Sequence, residues 1–165
     1  MKPHALYGAL LSLTLVRAES EYSSLYGYGI GIGGLPLTYA DGIAYLGDAP
    51  SNASTATNVT VAIKSGIVAV KPTDETWSDS KSLYVNLQAG AYDAAKIASS
   101  AEGYTHTGFL FYGRTLFQSG SSGLSSLFYA TPLNSQNTTY LLKWNSDSTD
   151  DGTSTPVALR TLPPS

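Results

Sequence analysis

Along most of this 165-residue chain, apolar residues return at every second position. Tyr26, Tyr28, Ile30 and Ile32 alternate with glycines, Val59, Val61 and Ile63 with polar or small residues, and Leu83, Val85 and Leu87 flank Tyr84 and Asn86. A period of two sends successive side chains to opposite faces of an extended backbone, so each run predicts a strand with one buried face. Turn residues punctuate these runs. Asp41-Gly42 separates the first run from Ile43-Ala44-Tyr45-Leu46, and Ser65-Gly66 separates the second from Ile67-Val68-Ala69-Val70. Both predict tight hairpins. Residues 107–111 and 115–118 are spaced as a further hairpin around Tyr112-Gly113-Arg114, and residues 127–130 and 140–144 supply the last two strands.

Two stretches break the alternation. Residues 91–101 have helix-forming composition, with Ala94, Ala95, Lys96, Ile97 and Ala98 in succession, and predict one short helix at most. Residues 146–165 are rich in Ser, Thr, Asp, Gly and Pro with little periodicity, and predict a loosely ordered tail. Eight or nine short strands with turns between them predict an all-β fold, a single antiparallel β-sandwich or barrel spanning residues 19–145. A β-trefoil is the alternative, because the phrases Asp41-Gly42-Ile43, Ser65-Gly66-Ile67 and Ser122-Gly123-Leu124 recur as turn followed by strand.

Composition adds where such a domain belongs. Apolar residues make up 42% of the chain and charged residues 13%, with twelve tyrosines, which suits exposed strands and one core. The N-terminus reads differently. Lys2 precedes an apolar run over residues 5–16, and Val16-Arg17-Ala18 fits a small-residue cleavage site, so residues 1–18 are expected to be a signal peptide cut between Ala18 and Glu19. An apolar run of this length falls short of the roughly 20 residues that span a bilayer, so no membrane association is expected after cleavage. The C-terminus ends in Arg160, Pro163 and Pro164 where a lipid-anchor signal would need an apolar tail. Losing Lys2 and Arg17 takes the formal charge from −3 to −5, and the remaining basic residues, at 64, 71, 81, 96, 114, 143 and 160, do not cluster along the chain. Nucleic acid is therefore not an expected partner. Cysteine is absent, which excludes disulfides, thiolate metal sites and cysteine nucleophiles.

Chemistry-bearing motifs are few. Residues 29–34 match the G-x-G-x-x-G spacing, but Pro36 follows and no helix or βαβ alternation continues it, so a glycine-rich strand or bulge packed against a neighbour is expected there. His106 is the one histidine beyond residue 18, and no G-x-S-x-G elbow accompanies it, so no catalytic triad is expected. Asp74, Glu75, Asp79 and Asp93 form a cluster of acids that could in principle pair for glycoside hydrolysis, but they sit in stretches where turn chemistry accounts for them. Neither a catalytic residue, a metal ligand nor a cofactor site is expected. Trp144 closes an alternating run and belongs in the core, whereas Trp77 stands in a polar loop and is a candidate contact for a glycan. Three N-glycosylation sequons begin at Asn52, Asn58 and Asn137; the first and last fall in loops, and Asn58 directly precedes an apolar strand.

The order of these features resembles a known family. Tyr26-Gly27-Tyr28-Gly29-Ile30, Leu37-Thr38-Tyr39, Tyr45-Leu46-Gly47, Val61-Ala62-Ile63-Lys64-Ser65-Gly66, Leu83-Tyr84-Val85-Asn86 with Gly90 after it, and Gly108-Phe109-Leu110-Phe111 with residues 113–117 follow one another in an order similar to that of the strands and turns of the fungal secreted cell-wall proteins typified by the phialide-development protein PhiA. The similarity spans about residues 25–145. It implies a fungal source, a secreted, extracellular or cell-wall location, and a non-enzymatic structural or surface role in wall or spore development, with wall polysaccharide or other wall proteins as partners. A secreted effector or carbohydrate-binding module acting on a wall or host polymer is the alternative.

Overall fold

A computed structural model describes residues 21–165, and all its regular structure is β. The expected cleavage site at Ala18 and Glu19 lies outside the described residues. Fifteen strands follow one another: β1 (Ser23–Ser24), β2 (Tyr26–Gly29), β3 (Ile32–Ala40), β4 (Ile43–Gly47), β5 (Ala56–Lys64), β6 (Ile67–Pro72), β7 (Lys81–Tyr84), β8 (Tyr92–Ala94), β9 (Lys96–Ala98), β10 (Phe109–Tyr112), β11 (Thr115–Gly120), β12 (Gly123–Ser125), β13 (Phe128–Pro132), β14 (Thr139–Asn145) and β15 (Thr155–Arg160).

Every pairing is antiparallel. Followed from neighbour to neighbour, the ladders run β3-β5-β6-β7-β9-β4-β14-β13-β15-β2 and return to β3, a closed barrel of ten strands. Closure leaves no edge within the ring. The long strand β3 makes it possible, because it pairs with β2 along its first half and with both β4 and β5 along its second. Strands β10, β11 and β12 form a flange held to the ring through Thr115 opposite Arg160.

The alternation read from the sequence fills this barrel. Val59 and Val61 of β5, Val68 and Val70 of β6, Leu83 of β7, Leu142 and Trp144 of β14, and Phe109 of β10 are all buried in one continuous core, while Ile63 and Phe111 pack against it partly exposed. Trp144 meets Phe128 edge to face at 4.9 Å between ring centres. The two sharpest turn signals are also realised. Asp41-Gly42 and Ser65-Gly66 both have two consecutive residues with positive φ, 46° and 89° in the first and 49° and 79° in the second, as a two-residue hairpin of matching twist requires. The three phrases that pointed to a trefoil are hairpin turns of unrelated placement, two within the ring and one in the flange.

Three expectations are corrected. The first alternating run, Tyr26 to Ile32, is not one strand. It folds back on itself at Ile30-Gly31, so β2 pairs with β3 through a bulge at Gly27 and Tyr28. The G-x-G-x-x-G spacing is this hairpin: a methyl group on Gly29 would lie 2.5 Å from the carbonyl oxygen of Pro156, so glycine lets β15 approach.

Residues 91–101 form no helix. They make β8 and β9, with Ala95 fully buried between them, and cross from the edge of β14 to the edge of β7. Ala95 donates its backbone N–H to Leu142 and accepts one from Ala44, at 2.8 and 2.9 Å. Small side chains suit such a wedge between strands, and two waiting ladders outweigh a weak helical preference.

The tail expected to be loose carries β15, which sits between β2 and β13 with Val157 and Leu159 in the core. The domain therefore extends past residue 145 to at least Arg160. Even the loop before it is fixed, since the buried side chain of Asn145 donates to the carbonyl of Thr149 at 2.7 Å and accepts its N–H at 2.9 Å.

Candidate functional site

A cleft of about 620 Å³ opens beside β5 and β6, under the loop of residues 73–80. Its walls carry Tyr22, Lys64, Lys71, Asp74, Glu75, Trp77, Asp79 and Lys81. Three of the seven basic residues beyond residue 18 thus meet in space, although they are dispersed in sequence. The hairpin register does this: Thr60 faces Lys71 and Lys64 faces Ile67, so both lysines emerge from the same face of one β-ribbon, one beside its turn and one near its far end. Tyr22, just before β1, is brought to them because Ser23 pairs with Val61. Lys71 Nζ lies 4.3 Å and Lys64 Nζ 5.4 Å from the centre of the Tyr22 ring, a cation–π arrangement.

The loop itself is pinned from several directions. Trp77 packs against the core and tilts onto Tyr39 with ring centres 4.6 Å apart. Its indole N–H is buried without a hydrogen-bond partner. Asp74 accepts the hydroxyl of Thr76, and also its N–H at 3.0 Å. Asp79 accepts Lys81 Nζ at 2.8 Å and the Ser99 hydroxyl at 2.7 Å. These bonds favour the ionised form. The Thr76 hydroxyl holds Asp74 below the usual carboxylate range, and Lys81, then Ser99, do the same for Asp79. Thr73 ties the start of the loop to β5, donating its N–H to the Asn58 carbonyl at 2.9 Å.

Other candidates from the sequence are dispersed. Asp93 stands on β8, where Asn86 Nδ2 donates to it at 2.6 Å, and it does not line the cleft. His106 lies against Tyr84, ring centres 4.8 Å apart, and among the described residues it hydrogen-bonds to no serine or carboxylate. The described residues include no cluster of three or more potential metal ligands.

The three sequons gather at another place on the surface. Asn52 is exposed in the loop between β4 and β5, and Asn137 is exposed, with φ of 54°, in the loop between β13 and β14. Asp48 joins the loops by donating its N–H to Thr138 at 2.8 Å, and a cleft of about 420 Å³ between them is lined by Asn52, Leu133 and Asn134. Asn58 is within β5, not ahead of it, and points outward. It borders an adjoining hollow that shares Asp48 and Ala49 with the first. Asp41 fixes this end of the barrel by accepting the N–H groups of Ser54 and Thr55 at 2.8 and 2.9 Å.

Trp77 was the one cleft residue singled out as a possible contact from sequence. Tyr22, Lys64 and Lys71 escape such a reading because their meeting depends on strand register; the signal that reveals them is the hairpin around Ser65-Gly66, which places the two lysines on one ribbon. No family model, curated protein or solved structure matches the chain.

Proposed function

We propose that this chain is a secreted, N-glycosylated, non-enzymatic protein associated with a fungal cell wall, in which a cysteine-free barrel serves as a rigid surface module. The observation that carries the reading is that the three sequons converge around Asp48 and Ala49: Asn52 lines one hollow together with Thr138 and Thr139 of the Asn137 sequon, and Asn58 lines the adjoining one. Sequons 85 residues apart come to one outward-facing region, where bulky glycans extend into solvent without disturbing the core. The expected cut is compatible with the fold, because among the described residues the first in the core is Leu25, downstream of Ala18.

The acids support a structural role over hydrolysis. Glycoside hydrolysis needs one carboxyl kept protonated near neutral pH beside a second that is ionised. Asp74 and Asp79 are instead stabilised in the ionised form by their neighbours, and Asp93 is engaged with Asn86.

Fractionation of epitope-tagged full-length protein from a filamentous fungus tests the assignment. Recovery in the wall and medium fractions is expected, and retention inside the cell would refute it.

A further inference from the structure

We infer that the cleft between Tyr22 and Trp77 is a binding site for a neutral polysaccharide chain. The inference names a partner for the wall-associated protein proposed above, but it stands on the cleft alone. Ligand sites commonly enclose about 300–1,000 Å³, and this one, at about 620 Å³, is in that range.

Charge selects the ligand class. Lys64, Lys71 and Lys81 face Asp74, Glu75 and Asp79, three cations against three anions, in a molecule that is acidic as a whole. A polyanion gains little from such a site and meets repulsion from Glu75 and Asp74. A polyhydroxylated neutral chain uses both signs, since each sugar hydroxyl donates to a carboxylate and accepts from an ammonium.

The polar groups divide into two sets. Asp74, Asp79 and Lys81 spend their hydrogen bonds on the loop, which makes the wall rigid before any ligand arrives. Lys64, Lys71 and Glu75 have, among the described residues, no hydrogen-bonding or ionic partner, the two lysines resting over the Tyr22 ring. They supply donors and an acceptor in the cleft that Trp77 also lines. An aromatic surface with hydrogen-bonding groups at its margin is what a pyranose, apolar on its C–H face and polar around its rim, presents in complement. A preformed wall also reduces the ordering cost of binding.

Tryptophan fluorescence reads this, because Trp77 lines the cleft whereas Trp144 is buried and does not line it. Unglycosylated protein beginning at Glu19 would be titrated with glucan, chitin and mannan oligosaccharides and with polygalacturonate, with calorimetry in parallel. At least one neutral oligosaccharide is expected to bind and perturb Trp77. Lys64→Gln/Lys71→Gln should weaken that binding by about tenfold or more while lowering the melting midpoint only slightly, and Arg114→Gln, in the β10–β11 turn, should leave the binding intact. Absence of binding by every neutral chain, binding of polygalacturonate alone, or neutral binding indifferent to the double variant would each overturn the inference. None of these results depends on secretion or glycosylation, so the inference and the proposed function fail separately.

Discussion

Asp151 shows how single polar residues hold the loops of this barrel without disulfides. Its carboxylate accepts the Ser154 hydroxyl at 2.6 Å, the Ser154 N–H at 2.7 Å and the Thr153 N–H at 3.0 Å, and these bonds, led by the Ser154 hydroxyl, hold its pKa far below the ordinary carboxylate range. A carboxyl whose folded pKa is depressed adds stability above its unfolded pKa of about 3.9 and loses it as pH falls towards the folded value. Asp151→Asn is therefore expected to lower the melting midpoint at pH 7, and the gap from the parent should narrow steadily below about pH 4. Melting curves across this range decide it, and a gap that widens with acid would contradict the role. Trp77 illustrates the same scale in another way. A lone tryptophan among Thr76, Ser78 and Asp79 reads as a candidate contact with burial the commoner outcome, and the Tyr39 ring beneath it shows that it anchors the loop while one side of it still lines the cleft.

At the scale of elements, the strands that the sequence conceals are those whose partners are distant. Within β15, Val157-Ala158-Leu159 offers only one alternation between Pro156 and Arg160, too short to distinguish from linker, yet β2 and β13 present it with two open ladders. The β8–β9 segment is concealed for the opposite reason, because its local signal is misleading. Helix propensities among ordinary residues differ by up to about 0.7 kcal/mol each, whereas burying a side chain such as Ile97 contributes about 1.5–3 kcal/mol, and the wedge between β14 and β7 wins. Hairpins with two-residue turns were readable because their pairing is local, as β3–β4 and β5–β6 show.

The energetic weight of β15 has a direct consequence. Val157 and Leu159 contribute about 1.5–3 kcal/mol each by burial, and their removal also exposes the edges of β2 and β13. A chain ending at Ser154 is thus expected to lose more stability than Phe109→Ala, itself worth about 3–5 kcal/mol. Thermal unfolding of the two variants checks this, and a truncated chain that melts near the parent would show that the barrel closes without its last strand.

Over the whole molecule, one ring of ten strands produces two surface features that no stretch of sequence displays. Lys64 and Lys71 approach Tyr22 only through the β1–β5–β6 register, and the sequons of Asn52 and Asn137 come together only because the β4–β5 and β13–β14 loops leave the barrel side by side. Fold class and the core were readable because period-two burial is written locally, whereas the site is a property of closure. The same arrangement keeps the sequon region and the cleft apart, so the glycans and the polymer proposed above would occupy separate surfaces.

Intact mass and N-terminal sequencing of full-length protein secreted by a filamentous fungal host, before and after peptide-N-glycosidase, test the central proposal most directly. The expected product begins at Glu19, loses mass on deglycosylation, and carries Asn-to-Asp conversion among Asn52, Asn58 and Asn137. Protein beginning at Met1, or a mass unchanged by the glycosidase, would contradict it.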